Sequence, residues 1–207
     1  MPPPILVTVS GMVGAGKSTG ESRILRLLRR KDVRAESWRF RTLPCFAFPF
    51  GSSQGPDAPS RRPPRTVRGR GYKRRPLTFG ATVGYLGRMV AFRVYRRWRQ
   101  PAGWTVCNRY FYDSLAHFDL DAHEARKYLV ALRWFMPQPD LAILFAASPA
   151  VIAERRPLYA GEYLEQVGQA YSRLTATFPN LVVVNSDPAQ HGEATLDRLI
   201  DDFLRRR

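Results

Sequence analysis

Nine residues near the start of the chain, Gly11-Met12-Val13-Gly14-Ala15-Gly16-Lys17-Ser18-Thr19, restrict its fold more than any other stretch. They fit G-x-x-x-x-G-K-[ST], and their flanks supply the context the pattern needs. Ile5–Val9 is an apolar, β-branched run that reads as a buried strand, and Ile24, Leu25, Leu27 and Leu28 recur at helical spacing over residues 17–30. A strand, a glycine turn and a helix start bring backbone N–H groups and the positive helix end around one anion. Glycine lets that backbone close on phosphates with no Cβ in the way. On this reading Gly11, Gly14, Ala15, Gly16, Lys17, Ser18 and Thr19 hold the phosphates of ATP. Lys17 reaches the β- and γ-phosphates and the Ser18 hydroxyl binds Mg²⁺.

Downstream, short apolar strands alternate with helices. Strands are predicted over Val33–Phe40, Trp104–Asn108, Asp140–Ala146 and Leu181–Asn185. Helices are predicted over about 78–98, 121–135, 149–155, 161–178 and 193–204, with Asp121 or its neighbour capping the second of these. That alternation predicts a parallel sheet covered on both faces. The expected fold is a single α/β domain over residues 1–207, a three-layer α/β/α P-loop NTPase fold with a five-stranded parallel sheet. Residues 41–76 interrupt the pattern. They hold Pro44, Pro49, Pro56, Pro59, Pro63, Pro64 and Pro76, several glycines, and nine Lys or Arg against the single acid Asp57. This composition reads as a flexible, basic, Pro/Gly/Arg-rich insertion.

The whole chain is basic as well, at +16 from 33 Lys+Arg and 17 Asp+Glu, which favours anionic partners: nucleotides, nucleic acid or acidic surfaces. Cys45 and Cys107 make neither a disulfide framework nor a metal-ligand spacing. Met1-Pro2-Pro3-Pro4 has no signal-peptide character and no stretch reaches the length of a membrane span, so no membrane partner and a cytoplasmic location are expected.

Asn108-Arg109-Tyr110 follows a predicted buried strand, and ligands of open α/β sheets bind outside the carboxyl ends of the strands. Arg109 is therefore placed to meet a phosphate with bidentate geometry, the alternative being a solvated strand-end arginine. Arg155 and Arg156 open a segment, 155–161, that reads either as a lid over the triphosphate or as a solvated helix end. Arg88 lies on a predicted helix with Tyr85 and Phe92 nearby, and Asp113, Ser114 and His117 follow Arg109 as candidates for an acceptor pocket. A lone histidine such as His117 is more often structural than catalytic.

Four stretches together resemble the thymidylate kinase-like group of P-loop nucleotide kinases. These are Gly11–Thr19; Val106–Ala116, which is similar to D-R-Y-x-x-S-x-x-A; Pro139–Leu144 with Ser148-Pro149 and Glu154-Arg155-Arg156; and Gly161–Glu165 with Tyr171 and Leu174. The resemblance implies ATP-dependent phosphoryl transfer to a small anionic acceptor, a nucleoside monophosphate such as dTMP, with ATP and Mg²⁺ bound. It assigns the acceptor phosphate to Arg109, the lid arginines to Arg155 and Arg156, and base contact to Arg88; Tyr110, Asp113, Ser114 and His117 are acceptor-side candidates by their position beside Arg109. It also implies a possible homodimer through the helices before and after the third strand. Asn108 stands where the group has Asp, and His117-Phe118 where it has Tyr-Gln. A kinase acting on a nucleoside, sugar or other polyol keeps the same chemistry. A non-catalytic nucleotide-binding regulator, or a nucleic-acid partner using Arg61–Arg75, is the reading from another class.

Overall fold

The computed structural model describes residues 4–40, 43, 74–100, 102–157, 159 and 161–206. Most of the basic insertion, and residues 158 and 160 of the expected lid, lie outside these. In chain order the elements are β1 (Ile5–Gly11), α1 (Lys17–Arg30), β2 (Ala35–Arg39), β3 (Arg75–Pro76), α2 (Phe79–Arg99), β4 (Trp104–Asn108) and α3 (Phe111–Leu115). Then follow β5 (Phe118–Asp119), α4 (His123–Phe135), β6 (Leu141–Ala146), α5 (Pro149–Arg155), α6 (Gly161–Thr177), β7 (Leu181–Asn185) and α7 (Gly192–Arg205).

Five strands make one parallel sheet in the order β2-β4-β1-β6-β7. The order explains the sequence pattern strand by strand. β1 is central, with Val7 opposite Val106 on one side and Leu141 on the other, and all of its residues are buried. A strand covered on both faces can be apolar throughout, and Ile5–Val9 nearly is. β2 and β7 are the edges, where only Trp38 in β2, and Leu181 and Val184 in β7, are buried. Helix α1 packs on β1, β2 and β4 and against α7, α2 packs on α4, and α5 on α6. The molecule is thus an α/β fold built on a five-stranded parallel sheet with seven α-helices among the described residues.

Predicted and observed elements agree to within about two residues at most ends, the ordinary uncertainty of helix boundaries. Three details differ. The end of the insertion is not unpacked: Arg75 and Pro76 form β3 and pair with β5. α3, which had no counterpart in the helical pattern, is too short to show a period. Asp121 does not cap α4, whose N-cap is Ala122 with no side-chain hydrogen bond. Instead Asp121 forms ion pairs with Arg74 at 3.3 Å and Arg173 at 2.8 Å, so tertiary partners outcompete the local cap. Val83, Val90, Val94 and Trp98 stay exposed along α2, the surface an expected homodimer would have to cover. Among the described residues no helix is long and apolar enough to cross a membrane.

Candidate functional site

A cavity of about 1510 Å³ opens at the carboxyl ends of the central strands. The chain leaves β1 in one direction for β2 and in the other on reaching β6, which is where such sheets leave a crevice. Gly14, Gly16, Lys17, Ser18, Thr19, Asn108, Arg109, Arg155 and Arg156 all line it. Arg39 adds a further cation from the end of β2.

The glycine loop is held by contacts that need its glycines. Gly11 has φ 140°, and a Cβ there would sit 2.3 Å from the Phe145 carbonyl oxygen of the adjoining strand. Gly16 caps α1 in the left-handed conformation at φ 82°, no side chain caps that helix, and its first turn carries no acid. The helix start therefore keeps its positive character toward the cavity. Lys17 is only 7 % exposed. Its Nζ donates to the carbonyls of Gly11 at 2.8 Å and Met12 at 2.5 Å, inside its own loop.

Arg109 follows β4 with φ 70°, a conformation rare outside glycine and concentrated at functional positions. Its amide donates to Val9 O at 2.8 Å, which locks the residue to the end of β1. Asp113, 2 % exposed, stands 3.7 Å from the guanidinium. The two oxygens of Asp113 are heavily used. Oδ1 accepts from Gly11 N at 3.2 Å and lies 2.9 Å from the Tyr171 hydroxyl, while Oδ2 accepts from Tyr110 N at 3.0 Å. The Tyr171 hydroxyl is also 3.0 Å from Gly11 O, and its one proton serves one of these acceptors. Asp113 thus ties the end of β1, the turn after β4, and α6 together behind the glycine loop.

Helix α5 starts at Ser148, whose hydroxyl accepts from Val151 N, with Pro149 in the first turn, the start the sequence pattern predicts. At its other end Arg155 donates to Gly14 O at 3.2 Å and Ser186 O at 2.9 Å, bridging the glycine loop and the end of β7. Arg156 lies against Gly14, its Cγ 3.4 Å from where a Cβ of that glycine would be. Opposite them Glu21 of α1 accepts from the Asn108 amide and the Ser37 hydroxyl.

Lys17, Ser18, Arg109, Arg155 and Arg156 therefore come together, whereas the other acceptor-side candidates do not. Tyr110 is wholly buried, its hydroxyl donates to Pro137 O, and burial pushes its pKa well up. Asp113 is buried behind Arg109 and does not face the cavity. Arg88 lies over the Tyr85 ring at 5.6 Å, and Tyr85 packs edge-on against Phe118 of β5. His117 accepts from Arg75 N at the β3–β5 pair. Arg88, Ser114 and His117 are not among the residues lining the cavity. The residues that sequence reasoning gave no role in the site are Arg39, Glu21, Ser186 and Asp187, which could have been found from strand ends and from the helix face shared with Ser18. Tyr171 entered the sequence reading only as part of the resemblance along α6, because its contacts with Gly11 and Asp113 exist only in the folded chain.

The donor set suits a magnesium-nucleotide. Ser18 Oγ and the Glu21 carboxylate are hard oxygen donors one turn apart on α1, the type that Mg²⁺ accepts. Among the described residues no group of three or more His, Cys, Asp or Glu side chains could hold a metal ion. No protein-family model matches the chain, and no curated protein matches it.

Proposed function

We propose that this protein transfers the γ-phosphoryl group of ATP to a small anionic acceptor, with a nucleoside monophosphate as the first candidate, in the manner of the thymidylate kinase-like P-loop kinases. The observation that carries the reading is the meeting of Lys17, Arg109, Arg155 and Arg156 around one cavity beside an uncapped helix start. A motor or switch would need only the donor side of that set. A second phosphate-binding arginine, aimed by a strained backbone and backed by a buried carboxylate, is what an anionic acceptor requires.

Each residue then has a defined task. The glycine-loop amides and the start of α1 receive the donor phosphates. Lys17 exchanges its two carbonyl acceptors for phosphate oxygens, so its site is held ready without a nucleotide. Ser18 would hold Mg²⁺, which neutralises charge on the phosphates when bound. Arg109 fixes the acceptor phosphate, and Asp113 fixes Arg109. Arg155 and Arg156 stabilise the charge that spreads over the transferring group. No protein base is needed, because phosphoryl transfer gains chiefly from positioning and charge stabilisation.

An ADP-release assay across a panel of nucleotides tests this. Acceptor-dependent release is expected for the native chain and only background for Lys17→Ala. If no acceptor raises release above the Lys17→Ala level, the kinase reading fails. Arg88 and His117 do not line the cavity that Arg109 lines, and this favours keeping a nucleoside, sugar or polyol acceptor as a second reading. Mass spectrometry of the product separates the two.

A further inference from the structure

Asn108 ends β4 beside the central strand and cannot carry charge, yet the cavity wall at this point does hold a carboxylate. It comes from α1. Glu21 lies three residues beyond Ser18, which places the two side chains on one helix face. One Glu21 oxygen accepts from Asn108 Nδ2, and the other from Ser37 Oγ of β2. Three elements thus converge on one side chain, and Ser18, Glu21, Ser37 and Asn108 line the same cavity. Both donors are neutral, so they orient the carboxylate without cancelling its charge. A salt bridge would have fixed Glu21 equally well but would have removed the negative potential beside Ser18.

We propose that Glu21, positioned by Asn108 and Ser37, is the carboxylate that orders the hydration of the divalent cation bound with the nucleotide. The inference rests on the phosphoryl-transfer reading above. Mg²⁺ gives up its waters reluctantly and keeps several when it binds through phosphates and one hydroxyl. Those waters need acceptors, and a fixed carboxylate one helical turn from the hydroxyl ligand is such an acceptor. The asparagine at the strand end then has a function of its own: its Nδ2 donates a hydrogen bond that an aspartate at this position could not donate, and two carboxylates here would repel.

The test measures binding of fluorescently labelled ADP, with EDTA and with saturating Mg²⁺, and Mn²⁺ binding to the ADP complex by electron paramagnetic resonance. In the native chain the cation tightens ADP binding. Glu21→Gln keeps the size and one hydrogen-bond acceptor but removes the charge. It is expected to weaken cation binding by about tenfold or more, the usual effect of losing an outer-shell partner, with ADP affinity in EDTA unchanged. The double variant Glu21→Gln with Asn108→Asp returns a carboxylate to the strand end and is expected to recover most of the loss. Ser37→Ala, which frees the carboxylate without removing it, is expected to fall between and covers the case of a Glu21→Gln chain that folds poorly. Unchanged Mn²⁺ affinity in Glu21→Gln overturns the inference, and so does an equal loss of ADP affinity with and without cation. Failure of the native chain to bind ADP under either condition removes the kinase reading itself.

Discussion

Replacing Asp113 by Asn tests the buried tie behind the glycine loop. The carboxylate is 2 % exposed and accepts from two backbone donors, Gly11 N at 3.2 Å on Oδ1 and Tyr110 N at 3.0 Å on Oδ2, with the Tyr171 hydroxyl 2.9 Å from Oδ1. An amide cannot serve both N–H groups. Whichever way it is turned, its NH₂ group faces an N–H that then has no acceptor, and the charge opposite Arg109 is gone. A hydrogen bond to a charged group contributes about 1.5–3 kcal/mol, and leaving a buried donor unpaired costs about 1–3 kcal/mol. Loss of one of each gives about 2.5–6 kcal/mol. For a chain of 207 residues, each kcal/mol moves Tm by about 2–4 °C, so a fall of roughly 5–24 °C is expected. Tyr171→Phe removes the hydroxyl alone and is expected to cost about 1 kcal/mol. Urea denaturation followed by circular dichroism, with calorimetry beside it, reads both. An Asp113→Asn chain within about 1 kcal/mol of the native one would refute the tie. Loss of acceptor affinity at unchanged stability would return Asp113 to the acceptor pocket that the sequence suggested.

Gly11→Ala combines a left-handed φ of 140° with a Cβ that would stand 2.3 Å from Phe145 O. Backbone strain and forced separation of β1 from β6 are expected to cost about 3 kcal/mol or more, and a urea midpoint close to that of the native chain would refute the close approach. Arg23 on α1 donates to both oxygens of Asp197 on α7, at 2.6 Å and 2.7 Å. That hydrogen bonding, with the charge of Arg23 beside it, holds the Asp197 pKa below its ordinary 3.8. A carboxyl lowered on folding stabilises the fold above its ordinary value and loses that contribution as pH falls through the folded one. Asp197→Asn is therefore expected to cost about 0.5–1 kcal/mol at neutral pH, the pair being partly exposed. The difference should fade as the pH drops below 3.8, and one that persists undiminished in acid would show that the ion pair is not its source.

The glycine loop, its flanking strand and helix, and the main strands after it were legible because each is a local or periodic signal. Ile5–Val9 is apolar at every position but Thr8 because β1 is covered on both faces. Pro149 and Ser148 mark the start of α5 by chemistry confined to one turn. The acceptor side was less legible for the opposite reason. Tyr110 and Asp113 stand within four residues of Arg109 and read like pocket residues, but burial turned one into core and the other into a tie. Arg88 lies over the Tyr85 ring and His117 meets Arg75 at the short β3–β5 pair, which spacing along the chain does not announce.

By itself the sequence determined an α/β chain with a glycine-rich strand-to-helix loop and a parallel sheet, since alternating apolar strands, helical periods and a glycine motif are written in neighbouring residues. Only the tertiary structure decided the strand order β2-β4-β1-β6-β7, and with it which side chains meet. Gly11, Asp113 and Tyr171 lie far apart along the chain and form one hydrogen-bonded unit. Glu21, Ser37 and Asn108 come from a helix and two strands and meet at the cavity wall. Such contacts depend on the crossing of elements in three dimensions, and no local pattern of residues encodes them.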